Sequence, residues 1–140
     1  MIGTRFIELW RCRSTRWRGE LFLRAIPAFL FMGAITAVSH LEGRNVPNLV
    51  DDRIAHFIEY SILGVLLMLL AAGFAEKTVE IAHFASAFLG GALFSVTDEW
   101  HQRFVAGRQS SLKDIVFDLL GLLAAMAMVR SLLVRGRPSP

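Results

Sequence analysis

One cysteine in 140 residues, Cys12, excludes an intrachain disulfide framework and any multi-cysteine metal site. We read Cys12 as an inert thiol. Charge is scarce as well: 19% of residues are charged and 54% hydrophobic, where soluble chains average about 25% and 45–50%. Mean hydropathy is +0.50. The rival architecture, a soluble four-helix bundle, would need helices with one polar and one apolar face, and these helices lack that alternation. No basic stripe runs along one helix. The formal net charge of +3 comes mainly from arginines near the two ends. Nucleic acid is therefore not expected as a partner, and the arginines read as topology determinants attracted to anionic lipid. No internal repeat, low-complexity segment, nucleophile motif or diagnostic metal-ligand spacing occurs. A cleavable secretory signal is not expected either, because the apolar run after the basic start is too long and has no small-residue cleavage site behind it.

What is present is a series of apolar runs. Residues 1–20 interleave Arg5, Arg11, Arg13, Arg16 and Arg18 with Trp10, Trp17 and other apolar residues. This pattern predicts a basic interfacial segment on the cytoplasmic leaflet, with a transit peptide as the runner-up. Four spans are predicted at 21–39, 54–74, 81–97 and 115–134, each near the length needed for about 30 Å of hydrocarbon. Arg24 can snorkel at the edge of the first, and Pro27 falls in its first two turns, where a missing N–H costs least. Residues 135–140 form a short tail. The reading is one all-α domain over 21–134, an integral membrane bundle of four transmembrane helices. Arginines at both ends place both termini in the cytoplasm (N-in/C-in), as an even number of spans requires. Loops 40–53 and 98–114 then meet on the extracytoplasmic side.

The second of those loops opens a charge-dense stretch between two apolar runs. Residues 98–118 carry Asp98, Glu99, Asp114 and Asp118 together with Arg103, Arg108 and His101. An ionisable residue at a membrane boundary is a functional-site hypothesis by default. On the fourth helix Asp114, Asp118, Gly121 and Ala125 form one stripe whose small residues permit close helix approach. Ser111 and Asp114 also match a capping box, and capping and function are compatible there. On the third helix Gly91, Ser95, Asp98 and Gln102 repeat the spacing. Asp98 and Glu99 lie at that helix's C-terminal end, where the dipole disfavours negative charge, so they need Arg103, Arg108, a histidine or a cation as partner. On the second helix Asp52, His56, Tyr60 and Gly64 form an i, i+4 ladder. A neutral His56 can act as general base or metal ligand; alone, such a residue is more often a structural histidine. Gly107, Arg108, two serines and a helix N-terminus can bind an anion such as phosphate, or form an ordinary turn. Trp100 and Phe104 read as interface anchors.

These residues resemble the VanZ-like membrane family. The chain reads D-R-I-A-H-F-I-E-Y-S-I-L-G from Asp52 to Gly64, and D-E-W-H-Q-R-F-V-A-G-R-Q-S-S-L-K-D-I-V-F-D-L-L-G from Asp98 to Gly121. The matching polar positions are Asp52, His56, Tyr60, Asp98, Glu99, Gln102, Arg108 and Asp114. Three positions depart from the family pattern: Arg53 stands where lysine is common, Ala106 replaces proline, and Asp118 replaces asparagine and so adds a carboxylate. The family's namesake is associated with resistance to teicoplanin, a lipoglycopeptide aimed at cell-wall precursor on the outer face. The resemblance therefore implies a multi-pass protein of the bacterial cytoplasmic membrane and a cell-envelope role.

The expected partners are membrane lipids, with a lipid-linked precursor or another phosphate-bearing head group as ligand. His56, Asp98, Glu99 and Asp118 are the candidate catalytic or proton-handling residues. Asp52, Tyr60, Gln102, Arg108 and Asp114 are the candidate binding residues. Two other readings stand beside this one. One is a small membrane hydrolase or transferase with His56 as base, a carboxylate as acid and a divalent ion as an option. The other is a structural protein whose polar cluster only locks helix packing. The sequence names no cofactor, metal or oligomeric state.

Overall fold

A computed structural model describes residues 17–41, 51–75, 80–108 and 110–135. The basic segment expected at 1–20 falls mostly outside these residues, as does nearly all of the tail. Four helices follow one another: α1 (Trp17–Ser39), α2 (Asp52–Gly73), α3 (Ile81–Gln102) and α4 (Leu112–Arg135). No strand occurs among the described residues. Each helix is long and apolar enough to cross a membrane. At 1.5 Å per residue, the 22 residues of α2 or α3 span about 33 Å.

The bundle has an inverted polarity. Phe22, Leu30, Leu89, Leu93 and Leu132 are exposed, whereas Ser39, His56, Ser95, Asp98, Glu99, Gln102, Asp114 and Asp118 are buried. A water-soluble chain cannot leave so much contiguous apolar surface uncovered. In lipid the arrangement is the favourable one: hydrocarbon meets the leucines, and most of the polar groups bond one another inside. The protein is accordingly a multi-pass membrane protein, and alkaline carbonate treatment of membranes should leave it in the pellet. Release by that treatment would contradict the membrane fold.

Packing is most extensive between α2 and α4. The small residues of the two stripes make it so. Gly64 lies against the backbone of Leu122 and the side chain of Ala125, and Gly121 against Phe57 and Ser61. On α3, Gly91 receives the Leu122 side chain. Tyr60, Leu63, Met68, Leu122, Met126 and Val129 belong to the apolar core, with Ile35 of α1 packed into it. The polar side chains gather where α1 and α3 end and where α2 and α4 begin.

Two boundaries differ from the hydropathy reading by four residues or more. Helix α1 starts at Trp17, so Pro27 lies in its interior and leaves the carbonyl of Leu23 without its helical donor. Helix α3 continues to Gln102, five residues beyond the apolar run. Hydropathy drops there because the inward face turns polar, while the helix goes on.

A buried histidine–carboxylate site at one end of the bundle

The start of α2 separates the two acids of the Asp51–Asp52 pair. Asp51 is the N-cap, its side chain accepting the Arg53 N–H at 3.0 Å. Asp52 is exposed at the mouth of the polar cluster. One turn on, His56 is 5% exposed, and one turn further Tyr60 is fully buried, its ring tilted against Phe94. The ladder on α2 thus runs from water into the bundle.

His56 is the centre of the cluster. Its Nδ1 lies 2.9 Å from Asp118 Oδ1, and Ser95 Oγ donates to Asp118 Oδ2 at 2.7 Å. With Asp118 ionised, Nδ1 carries the proton, and Nε2 is left facing Glu99 Oε1 at 3.8 Å. Glu99 is 2% exposed; its Oε2 accepts the Ser111 N–H at 2.9 Å, and its Oε1 has no hydrogen-bond partner. The histidine among the partners expected for Glu99 is therefore His56.

The start of α4 explains how Asp114 is freed. Ser111 Oγ accepts the Lys113 N–H at 3.1 Å, so Ser111 does cap the helix. The reciprocal half of a capping box would send the Ser111 N–H to Asp114, but Glu99 of α3 takes it instead. Asp114 turns inward and is buried. One ligand atom from each of Asp52, His56 and Asp114 lies within 4.8 Å of the others.

Asp98 belongs to a second set of bonds. Consecutive helical residues diverge by about 100°, so Asp98 faces α1 while Glu99 faces α2 and α4. Asp98 Oδ2 accepts from Ser39 Oγ at 2.9 Å and from Gln102 Nε2 at 3.2 Å. Its Oδ1 is buried without a partner, as is the Tyr60 hydroxyl. Of the partners expected for Asp98, namely Arg103, Arg108, a histidine or a cation, neither arginine reaches it, because both go elsewhere. Arg103 Nε donates to Ser110 Oγ at 3.3 Å. Arg108 donates to Val38 O at 2.9 Å and Leu41 O at 3.4 Å, tying the α3–α4 turn to the carbonyls that end α1. The turn is permitted by Gly107, whose φ of 76° suits glycine. Trp100 and Phe104 are exposed beside it, as interface anchors would be.

The structure thus brings Asp52, His56, Glu99, Asp114 and Asp118 together and gives Asp98 and Gln102 a separate place against α1. Four residues at this end of the bundle were not among the candidate site residues. Ser95 was on the α3 stripe, which was the available signal. Ser39 lies outside both motifs and is found only by folding α1 onto α3. His40 and His101 stack with ring centroids 5.3 Å apart and nitrogens 3.0 Å apart at the rim, a pairing no spacing rule connects.

No curated protein and no solved structure matches the chain. The family described as VanZ/LLP1 matches residues 10–134, which takes in all four helices and both motif stretches, and the chain therefore belongs to the VanZ/LLP1 family.

Proposed function

We propose that this protein binds or modifies the phosphate-bearing head group of an envelope lipid or lipid-linked cell-wall precursor, on the extracytoplasmic side of the bacterial cytoplasmic membrane. The observation that carries the reading is the buried His56–Asp118–Glu99 cluster at one end of a lipid-facing bundle. Buried ionisable groups within spans are costly, and they line ligand or ion paths far more often than they serve as packing. The exposed Asp52 gives the cluster an opening at the boundary where head groups lie. Arg108 supplies positive charge at the rim while holding α1 in place. Glycopeptide resistance remains a family association and is no part of the proposal.

Two measurements test this. In a chain whose Cys12 is replaced by serine, a cysteine at the exposed position 104 should react with a membrane-impermeant maleimide added to intact cells. Labelling only after the cells are opened would reverse the assigned side. Arg108→Ala should weaken retention of an anionic phospholipid roughly tenfold, the loss expected when a charge-assisted hydrogen bond of about 1.5 kcal/mol is removed. Unchanged retention would remove Arg108 from the site.

An enzymatic version is favoured by one feature: His56 is oriented by Asp118 and presents its other nitrogen to the unpartnered oxygen of Glu99. A base held by a carboxylate beside a second carboxylate suits hydrolysis or head-group transfer. Release of a labelled head group from lipid in proteoliposomes, lost in Glu99→Gln, would establish it.

A further inference from the structure

The His56 cluster has more acceptors than donors. Asp52, Asp114, Glu99 and Asp118 surround one imidazole, and no lysine or arginine enters the cluster among the contacts described above. Asp118 is satisfied by His56 and Ser95. Glu99 Oε1 is not satisfied: it is buried, has no hydrogen-bond donor, and points at His56 Nε2 from 3.8 Å. Among the described residues His56 faces that oxygen from too far for a hydrogen bond, and a cation bound between the two would satisfy both.

We propose that His56 Nε2, Asp52, Asp114 and Glu99 Oε1 hold a divalent first-row cation, Zn2+ or Mn2+, with Asp118 as the residue that positions the imidazole. Three observations converge on this. First, Asp52, His56 and Asp114 each offer a ligand atom within 4.8 Å of the others. Tetrahedral bonds of roughly 2.0–2.2 Å place donors about 3.3–3.6 Å apart, so side-chain turns of about an ångström draw these three onto one ion. Secondly, a metal-bound histidine nearly always gives its other ring N–H to a carboxylate, a backbone carbonyl or a water, which fixes the ring and its tautomer. The 2.9 Å contact from Nδ1 to Asp118 is that arrangement, and it leaves Nε2 as the ligating nitrogen. Thirdly, Glu99 is a built ligand rather than a stray acid. Its Oε2 is anchored on the Ser111 N–H, which leaves Oε1 directed into the cluster. The imidazole in the donor set favours Zn2+ and the three carboxylates admit Mn2+, whereas Mg2+ and Ca2+ take all-oxygen sites.

The ion site does not depend on the head-group reading. Its link to that reading is that a cation on the bundle axis, open toward Asp52, can receive a phosphate oxygen. The ion would bind at the boundary between water and lipid, where Asp52 is exposed and His56 is not.

The full chain, purified in detergent and stripped by chelator, should be titrated without added lipid with Zn2+ alone and with Mn2+ alone, by calorimetry and native mass spectrometry. One equivalent per chain is expected, with Mg2+ and Ca2+ at least tenfold weaker. Glu99→Gln and His56→Ala should each weaken binding tenfold or more. Asp98→Asn should leave it unchanged, since Asp98 is bonded to Ser39 and Gln102. Asp118→Ala should weaken binding roughly 10–100-fold. Asp118→Asn, which keeps an acceptor for the Nδ1–H, should recover most of that loss, a pattern that a purely structural role would not produce. Should His56→Ala fail to fold, Glu99→Gln and Asp114→Asn carry the test. Absence of a stoichiometric site for both ions in the wild-type chain, or equal affinity in Glu99→Gln, would overturn the proposal. Lipid retention is read separately. Lipid retained without metal removes only the ion site, and metal bound without lipid removes only the head-group reading.

Discussion

Gly121→Ala should destabilise the bundle more than alanine at Gly33, Gly64, Gly90 or Gly91. A Cβ at Gly121 would overlap the carbonyl oxygen of Phe57 and lie 3.0 Å from Ser61 N and 3.1 Å from Ser61 Oγ. Two of those atoms are backbone of α2, and no rotamer change relieves them. Helices α2 and α4 would have to separate along the seam that carries most of the packing. Overpacking of this kind costs about 1–3 kcal/mol, and a clash with backbone belongs at the upper end. The other glycines give a graded control. At Gly64 a Cβ would lie 3.1 Å from Leu122 O and 3.3 Å from Ala125 Cβ, so the loss should be smaller. At Gly91 the nearest atoms are the Leu122 methyl carbons at 2.8 and 2.9 Å, the far end of a side chain that can turn. Gly33 and Gly90 have nothing within 4 Å, so alanine there should be neutral or slightly stabilising, as helix propensity favours it by up to about 1 kcal/mol. Thermal unfolding in detergent, followed by tryptophan emission, ranks the five. A melting temperature for Gly121→Ala equal to that for Gly90→Ala would contradict the packing described for α2 and α4.

The second large effect is at His56. Its removal leaves Asp118, which is fully buried, with Ser95 as its remaining partner, and leaves Glu99 with Ser110 and Ser111 as its donors. Deleting one partner of a buried pair costs on the order of 3–5 kcal/mol, because the other charge stays buried and uncompensated. His56→Ala should therefore lower stability substantially as well as abolish any activity of the site. The cause is separable by a second change. In His56→Ala/Asp118→Asn the stranded carboxylate becomes a neutral amide, so the double variant should be more stable than His56→Ala alone. Coupling of about 0.5–3 kcal/mol is the range for residues in contact. Strict additivity of the two changes would mean that the 2.9 Å contact does not bind the residues energetically.

These two seams also show how far residue spacing reached. The stripes Asp114–Asp118–Gly121–Ala125 and Gly91–Ser95–Asp98–Gln102 were visible as i, i+3 and i+4 steps, and every member is buried. A helix repeats its facing direction regularly, so spacing alone gives the inward face once one inward residue is known. The end of α3 was less visible, because a hydropathy run stops where polar side chains begin even when those side chains face inward. Asp98 and Glu99, neighbours in the chain, looked like one acidic pair. The helical turn between them sends one to α1 and the other to His56, and that division follows from where α1 packs. Ser39 and the carbonyls of Val38 and Leu41 were out of reach for the same reason. Nothing in residues 98–108 says that a helix end 67 to 70 residues earlier will be the acceptor for Arg108. The exchange at Ser111, where Glu99 displaces Asp114 from the capping box, required both helix ends in place.

Asp118 sharpens the point. As a departure from the family's asparagine it looked like an added charge of uncertain use. In the folded chain it is the acceptor that holds His56, with Ser95 on its other oxygen. That pairing is what separates a site from a cluster of acids.

The account turns on whether the buried end of this bundle receives a lipid head group. Native mass spectrometry of the purified chain tests this most directly, comparing wild type with the folded His56→Ala/Asp118→Asn variant after extraction from the same membranes. The account predicts that the wild type carries one retained lipid with a phosphate-bearing head group and that the double variant, still monodisperse and cooperatively melting, has lost it. A wild-type chain free of lipid, or equal retention by the two, would contradict it.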